Sequence, residues 1–399
     1  MESKRKHFVI AFKRFDTGGL QTLMVRMAVW CKKNNVDATI VYQTADDRMH
    51  DEIIRNDIPT EHFDKDSIVA LFRSIILDGK EIRLMSFELP EFLYLEKIIN
   101  RYFKKQGIYH LMYNVAVSST IYGNKIKLKL PRDVCFWAYK KIINSLISSD
   151  RITFMDTDTL EACCNYFKID KATVRDPVYL LPMFIDDMPK NICKHNKRIT
   201  TVSRAAFPYK GYLVDLISHF DVIKESIPDA SLTIVSYGPD IDRLKTSISQ
   251  SEYSSDIQLI EGATIDEINC ILDDTRLYIG MGTTVLDAAN KAVPTIPVWH
   301  STMECITSGM FSDNPQTISK WIGKADIDEL IIKTLSISDK EYCELSKATY
   351  VAYKDHYDID TILPEMLGRN QSLDIKIPFI PFLIHNTLYF IKTIIGKYN

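Results

Sequence analysis

At 399 residues, with 46% apolar and 25% charged side chains, the chain has an ordinary globular composition and is too long for one typical core, so two or three domains are expected. Its 49 basic and 52 acidic side chains leave a formal charge of -3, which excludes the strongly basic field of a nucleic-acid-binding protein. Nothing in the composition marks a disordered or polytopic membrane chain. The eight cysteines (Cys31, Cys135, Cys163, Cys164, Cys193, Cys270, Cys305 and Cys343) do not fall at zinc-type spacings, and reduced core thiols are expected. The apolar run Phe8–Phe12 behind the basic N-terminus is too short for a signal-peptide core, so a cytoplasmic location is expected.

Phe8–Phe12 reads as a buried strand. Asp16-Thr17-Gly18-Gly19 then turns the chain into a helix with Leu20, Leu23, Met24, Met27, Ala28 and Cys31 at helical spacing, and Ala38–Tyr42 is the next strand. This β-α-β opening places the glycine pair at the carboxyl end of the first strand, where open α/β sheets bind ligands. Strand-like runs recur at Ile82–Phe87, Ile108–Tyr113 and Ile152–Met155, with helical patterns at Pro90–Lys105 and Ala138–Ser148. Such alternation predicts a parallel sheet covered on both faces. Between them, from Tyr122 to Arg132, lysines alternate with apolar residues, which fits an edge strand blunted by charge or a patch for anionic lipid heads. Asp156-Thr157-Asp158 has the form of a metal-binding triplet, but its place before Leu160–Phe167 predicts a helix N-cap. Asp46-Asp47 and Asp273-Asp274 read as solvated turn carboxylates.

The apolar run Val178–Ile185 closes the first half, and the polar stretch Asp186–Arg198 marks a boundary. The predicted domains are 1–188, 189–360 and a tail at 361–399. The second half repeats the grammar, with strands at Ile199–Val202, Leu232–Val235 and Ile257–Ile260 and helices at Gly211–Ile227, Asp240–Ile248 and Ile265–Leu272. Leu277–Val298 follows as strand, Gly280-Met281-Gly282 turn, Ala-rich helix and strand. Later patterns at Ile327–Leu335 and Lys340–Lys354 are helical. The fold class expected is α/β, two Rossmann-like domains facing across a cleft. The apolar tail Ile375–Ile395 is broken by Pro378, Pro381 and Lys392, which argues against a spanning helix. It is left as an interfacial helix on the membrane surface or one packed on the first domain.

Two stretches of the second half carry phosphate chemistry. The helix opening at Thr283 and Thr284 behind Gly282 offers free amides to an anionic or hydroxylated ligand. Arg204 and Lys210 flank the loop that leaves the strand Ile199–Val202, an arginine to fork onto two phosphate oxygens and a lysine to set a point charge beside them. His300, with Ser301 and Thr302, follows the last strand of this element, and no Walker loop, zinc spacing or Ser-His-Asp arrangement is present.

Val202-Ser203-Arg204 through Lys210-Gly211, then Leu232 through Tyr237-Gly238-Pro239, then Gly280 through Pro294, resemble in order and spacing the donor half of the GT-B retaining glycosyltransferases of family 4, over roughly Arg198 to Val298. Gly18-Gly19 is similar to that family's glycine turn. The resemblance implies that Arg204 and Lys210 bind the diphosphate of a nucleoside diphosphate sugar, UDP-sugar being the expected donor, with Gly238 beside the nucleotide. It implies that Asp287 grips the ribose hydroxyls in place of the second of the family's paired glutamates. The position of the first, which contacts the transferred sugar, falls on Ile279, and Gly282, Thr283 and Thr284 are expected to supply that contact. The family's histidine after the fourth strand has no counterpart near Tyr113-Asn114, where His110 falls inside a strand and reads as a core residue.

The resulting expectation is a retaining, metal-independent hexosyltransferase of polysaccharide biosynthesis, with Arg204, Lys210 and Asp287 as the catalytic set. Its acceptor, a saccharide or lipid-linked saccharide, would lie on the Gly18-Gly19 side. The location would be cytoplasmic, peripheral to the inner face of the membrane, with no nucleic-acid partner. Ile279 and the missing histidine keep open a catalytically silent partner subunit, and the architecture a sugar-nucleotide epimerase or phosphorylase.

Overall fold

The computed structural model of the chain describes residues 5–103, 107–116, 132–174, 178–321, 323–369 and 377–395. It divides into two compact units, Met1–Pro182 with Ile359–Asn399, and Met183–Asp358.

The first unit is built on six parallel strands, β1 (Lys6–Ala11), β3 (Asp37–Tyr42), β5 (Thr60–His62), β6 (Glu81–Ser86), β7 (Ile108–Asn114) and β8 (Ile152–Phe154), in the order β5-β3-β1-β6-β7-β8. A short pair, β2 (Arg14–Phe15) with β4 (Thr44–Ala45), sits beyond the carboxyl ends of β1 and β3. The linking helices are α1 (Gly19–Lys33), α2 (Asp47–Arg55), α3 (Lys65–Leu77), α4 (Leu89–Tyr102), α5 (Arg132–Ser148) and α6 (Thr157–Phe167). Helices cover both faces of such a sheet, which is why its central strands read as unbroken apolar runs.

Several helix starts are fixed by aspartates. Asp64 accepts from the amides of Asp66 and Ser67 to open α3. Asp156 accepts from the Thr159 amide at 2.7 Å to open α6, the N-cap role expected of it. Asp46 caps α2 through Met49 and also accepts from the Thr17 amide, so it ties the Gly18 turn to α2 and is more than a solvated turn carboxylate. Asp273 and Asp274 are likewise engaged, with Lys291 and Arg198. Under the sheet a buried polar knot joins His110 to Ser86 at 3.0 Å and to Glu96 at 2.8 Å, with Arg151 reaching the His110 carbonyl. Fully enclosed and stacked on Phe92, His110 is the core residue the sequence indicated.

The second unit carries β9 (Arg198–Arg204), β10 (Ser231–Tyr237), β11 (Ile257–Glu261), β12 (Leu277–Gly280) and β13 (Thr295–Pro297), all parallel, in the order β11-β10-β9-β12-β13. Between and after them run α7 (Tyr212–Ser226), α8 (Ile241–Gln250), α9 (Ile265–Asp273), α10 (Thr283–Asn290), α11 (Ile327–Ser336) and α12 (Asp339–Tyr357). Capping boxes at Thr264/Glu267 and Ser338/Glu341 set the starts of α9 and α12. Helix α7 packs Tyr212, Leu213, Leu216, Ile217, Phe220 and Ile223 into the main core, each such side chain contributing roughly 2 kcal/mol of transfer free energy.

The reduced-thiol expectation fails at one pair. Cys193 and Cys343 form a disulfide with 5.5 Å between their Cα atoms, and the other six cysteines are free. Lack of short-range spacing concealed it, because its partners are 150 residues apart. The bond joins the first segment of this unit to α12. Close by, the Met183 amide donates to the Tyr357 carbonyl at 2.8 Å, and the Tyr350 and Tyr353 hydroxyls donate to the carbonyls of Asp186 and Phe184, both at 2.6 Å.

The chain after Asp358 belongs to the first unit, as α13 (Ile359–Gly368) and α14 (Phe379–Ile395). Helix α14 packs along α5, with Phe382 and Ile384 on the core and His385 meeting the Tyr139 hydroxyl at 3.3 Å, which is the packed form of the tail. Phe379, Ile380 and Leu383 remain exposed. Among the described residues no helix is long and apolar enough to cross a membrane. The lysine-alternating segment 122–131 lies outside the described residues.

Candidate functional site

The strand order of the second unit reverses between β9 and β12, and at such a switch point adjoining loops part to leave a crevice at the carboxyl edge. Arg204 ends β9 there. The loop behind it is held by main-chain turns, with Lys210 N donating to Ala206 O at 2.9 Å and Gly211 N to Pro208 O at 3.1 Å, and by Asp240, whose carboxylate accepts from the Phe207 amide at 2.7 Å. A side chain at 211 would begin 2.6 Å from the Thr302 carbonyl, which is why glycine follows Lys210. Gly238, at φ +127, follows β10; a Cβ there would lie 2.6 Å from Ala205 O and 2.9 Å from Arg204 Cγ. The missing side chain lets the exposed Arg204 lie across this turn.

On the other side of the switch point, β12 turns through Gly280, Met281 and Gly282 into α10. Gly282 has φ +79, a conformation costly for any residue with a Cβ. The Lys210 ammonium lies 4.0 Å from where that Cβ would be. Lys210 and the start of α10, 72 residues apart in sequence by number, thus meet at one point. Lys210 is half-buried, and among the described residues no carboxylate pairs with it. Burial alone pushes its ammonium down to about 8 from the usual lysine range.

Helix α10 has no side-chain cap, so the amides of Thr283 and Thr284 have no acceptor within the helix. The donors divide unequally. The Gly282 amide is committed to Ile318 O at 3.1 Å. The Thr284 hydroxyl is turned inward, 2.5 Å from Tyr278 Oη and 3.2 Å from Val202 O. What the turn offers a ligand is therefore the Thr283 and Thr284 amides and the Thr283 hydroxyl. Asp287, half-buried, follows one helical turn after Thr283 on the same side of α10.

Tyr278 is the residue that sequence reasoning missed. It is fully buried in the middle of β12, and its hydroxyl bridges Thr284 Oγ1 and Val202 O. A Cβ at 280 would stand 2.6 Å from that hydroxyl, so Gly280 exists to make room for the tyrosine. The available signal was a phenol inside an apolar strand, which needs a partner for its O–H. Ile279 is fully buried in the main core, where its side chain meets other apolar residues and no ligand. His300 lies beside the Tyr209 ring at a centroid distance of 5.8 Å and bonds Ser301. Gly18 and Gly19 belong to the first unit, where Gly18, at φ -178, is ordinary extended backbone opening α1 without a side-chain cap.

No protein-family model and no curated protein sequence matches the chain. Solved structures do. The chain is similar to Anabaena HepE (Alr3699), crystallised with UDP and glucose, at a TM-score of 0.60 and 11% identity over 91% of this chain and 98% of that one. The fold is GT-B, with two Rossmann-like α/β domains. It is shared with a mutant of S. aureus TarM in complex with fondaparinux, α-GlcNAc-glycerol and UDP (TM-score 0.60, 10% identity, 92% and 99% covered). It is shared also with a glycosyltransferase from Rickettsia africae ESF-5 (TM-score 0.60, 12% identity, 96% and 99% covered).

Proposed function

We propose that the chain is a glycosyltransferase that takes a sugar from a nucleoside diphosphate donor. The observation that carries this reading is the Lys210 amine, desolvated and without a counter-ion, set against the uncapped start of α10 at Gly282. A partly desolvated cation facing free amides is matched by an anion with several oxygens. In this reading Lys210 and the Thr283 and Thr284 amides hold the distal phosphate, Arg204 forks onto the other, and Asp287 accepts from the ribose hydroxyls. As the bond to the sugar breaks, negative charge grows on the leaving diphosphate, and these fixed donors stabilise it. Because two cationic side chains and a helix start supply that charge, we propose turnover without metal, retention at the anomeric carbon, and UDP as the carrier. HepE and TarM, solved with UDP, support that choice of nucleotide. The acceptor is proposed to be a saccharide or lipid-linked saccharide bound by the first unit, and the exposed Phe379, Ile380 and Leu383 on α14 favour work at a membrane surface.

Titration of UDP, GDP and ADP against thermal unfolding tests the donor site, since a ligand bound only by the folded state raises the melting temperature. UDP is expected to raise it. Lys210→Ala and Arg204→Ala are each expected to weaken UDP by about tenfold or more, the loss of one charge-assisted contact. Unchanged affinity in both sinks the assignment.

A second reading has its own observation. With Ile279 buried in the core and Asn114 where a histidine was sought, the chain would bind nucleotide as a silent partner subunit. Donor hydrolysis or transfer from a UDP-sugar by the purified protein excludes it.

A further inference from the structure

The first unit has a switch point of its own, between β1 and β6, and the donor chemistry above makes no use of it. Glu91 stands there, third residue of α4. A glutamate in that position ordinarily folds back onto the amide that opens its own helix. Glu91 instead crosses to the segment leaving β1, where Oε1 accepts from the Lys13 amide at 2.8 Å. Its other oxygen, Oε2, is buried with no hydrogen-bond partner among the described residues. At the end of β7, the strand next to β6 on this edge, Asn114 is fully buried. Its Oδ1 accepts from the Ala116 amide at 3.1 Å, and among the described residues its Nδ2 has no partner. Helix α1 opens toward the same edge with no side-chain cap.

Buried polar atoms are matched in native structures, and one left over marks a place where something other than the protein supplies the partner. Two of them on one carboxyl edge, beside an uncapped helix start, repeat in another chemistry what Lys210 and α10 do in the second unit. We propose that this edge binds the acceptor as a neutral saccharide, with Glu91 Oε2 and Asn114 Nδ2 bonding to its hydroxyl groups. The proposal rests on the glycosyltransferase reading.

Neutrality follows from the surroundings of Glu91. Burial, and after it the Glu88 carboxylate, push Glu91 up to about 8 against the opposing pull of the Lys13 amide and ammonium. At neutral pH the carboxyl keeps its proton, so it can donate to a hydroxyl oxygen. A phosphorylated or uronic acceptor would set its charge against the Glu88 carboxylate, and Arg14 is already paired with Asp16 at 2.6 Å. A hydroxyl both donates and accepts, which suits a protonated carboxyl next to an amide N–H.

The experiment uses the full chain saturated with UDP, and reads by saturation-transfer NMR the binding of methyl glycosides of glucose, galactose and N-acetylglucosamine beside their 6-phosphates. At least one neutral glycoside is expected to bind, and its phosphate at least roughly tenfold more weakly, a difference of one charge repulsion. Glu91→Ala is expected to weaken the glycoside about tenfold, the loss of one buried hydrogen bond. Glu91→Gln, which keeps a donor and an acceptor in place, should stay within about threefold of the native chain. Asn114→Ala tests the same edge from another strand, and native-like amide hydrogen-exchange protection in the strands of the first unit shows that each variant is folded. Native glycoside affinity in both alanine variants overturns the assignment. Binding of the phosphates alone, or of no glycoside while UDP binds, overturns it too. Failure of the native chain to bind UDP at all instead brings down the glycosyltransferase reading.

Discussion

A lysine that has lost its water without gaining a carboxylate is a group waiting for an anion, and the consequence is measurable in pH. With its free ammonium at about 8, Lys210 is charged at pH 7, and above pH 8 the empty site must take up a proton to bind a diphosphate. UDP affinity measured by calorimetry should therefore change little between about pH 7 and 8 and fall toward tenfold per unit above that, and Lys210→Ala should abolish the fall. Glu91 gives the opposite test, one of folding. Its carboxyl titrates near 4.5 when unfolded and at about 8 when folded, so the folded chain holds a proton that the unfolded chain has released. Stability is then fully present below about pH 4.5 and is lost as pH rises through 8, at about 1.4 kcal/mol per unit. Urea midpoints at pH 5, 7 and 8.5 should show this slope, and Glu91→Gln should remove it. Neither shift was legible in the sequence, where Lys210 is one lysine in a loop and Glu91 one of many glutamates. Both depend on what the fold places around a side chain.

At the scale of the element, the β12–α10 turn was the most readable part of the chain, and the glycines told only half of it. Gly282 is the glycine turn into a helix start that the sequence indicated, and its φ of +79 is the added reason for glycine there. Gly280 answers to a different cause, the Tyr278 ring packed beneath it. Gly280→Ala is expected to lower stability by roughly 1–3 kcal/mol by overpacking, with UDP binding lost as the turn shifts. Tyr278→Phe keeps the ring and removes the bridge between Thr284 and the Val202 carbonyl, at a cost of about 1–2 kcal/mol. Chemical denaturation of both variants checks the pair, and a Tyr278→Phe chain as stable as the native one would refute this account of the turn. The period of the apolar runs gave most strands and helices to within a few residues because parallel strands buried on both faces carry a dense signal. β2, β4 and β5, two or three residues each, carry almost none.

At the scale of the whole molecule, the α/β class and the repetition of one grammar in two units were legible from alternation alone, but not the long-range closures. The Cys193–Cys343 disulfide joins residues that no local pattern relates. Thiol titration of the denatured chain should count six free cysteines before reduction and eight after it. Replacing both partners by serine should lower stability by about 2–5 kcal/mol, as expected for a loop of this length. Eight thiols before reduction would refute the bond. The same region has a further meaning. Residues 183–358 begin and end a hydrogen bond apart, at Met183 and Tyr357, with a covalent staple close behind. In genetic terms the second unit is an insert, a cassette whose two ends enter and leave through one doorway, and cutting it out costs the host chain a short splice instead of a torn sheet. Expressed alone, that segment should fold and bind UDP with the affinity of the full chain, which would make the donor half a portable module.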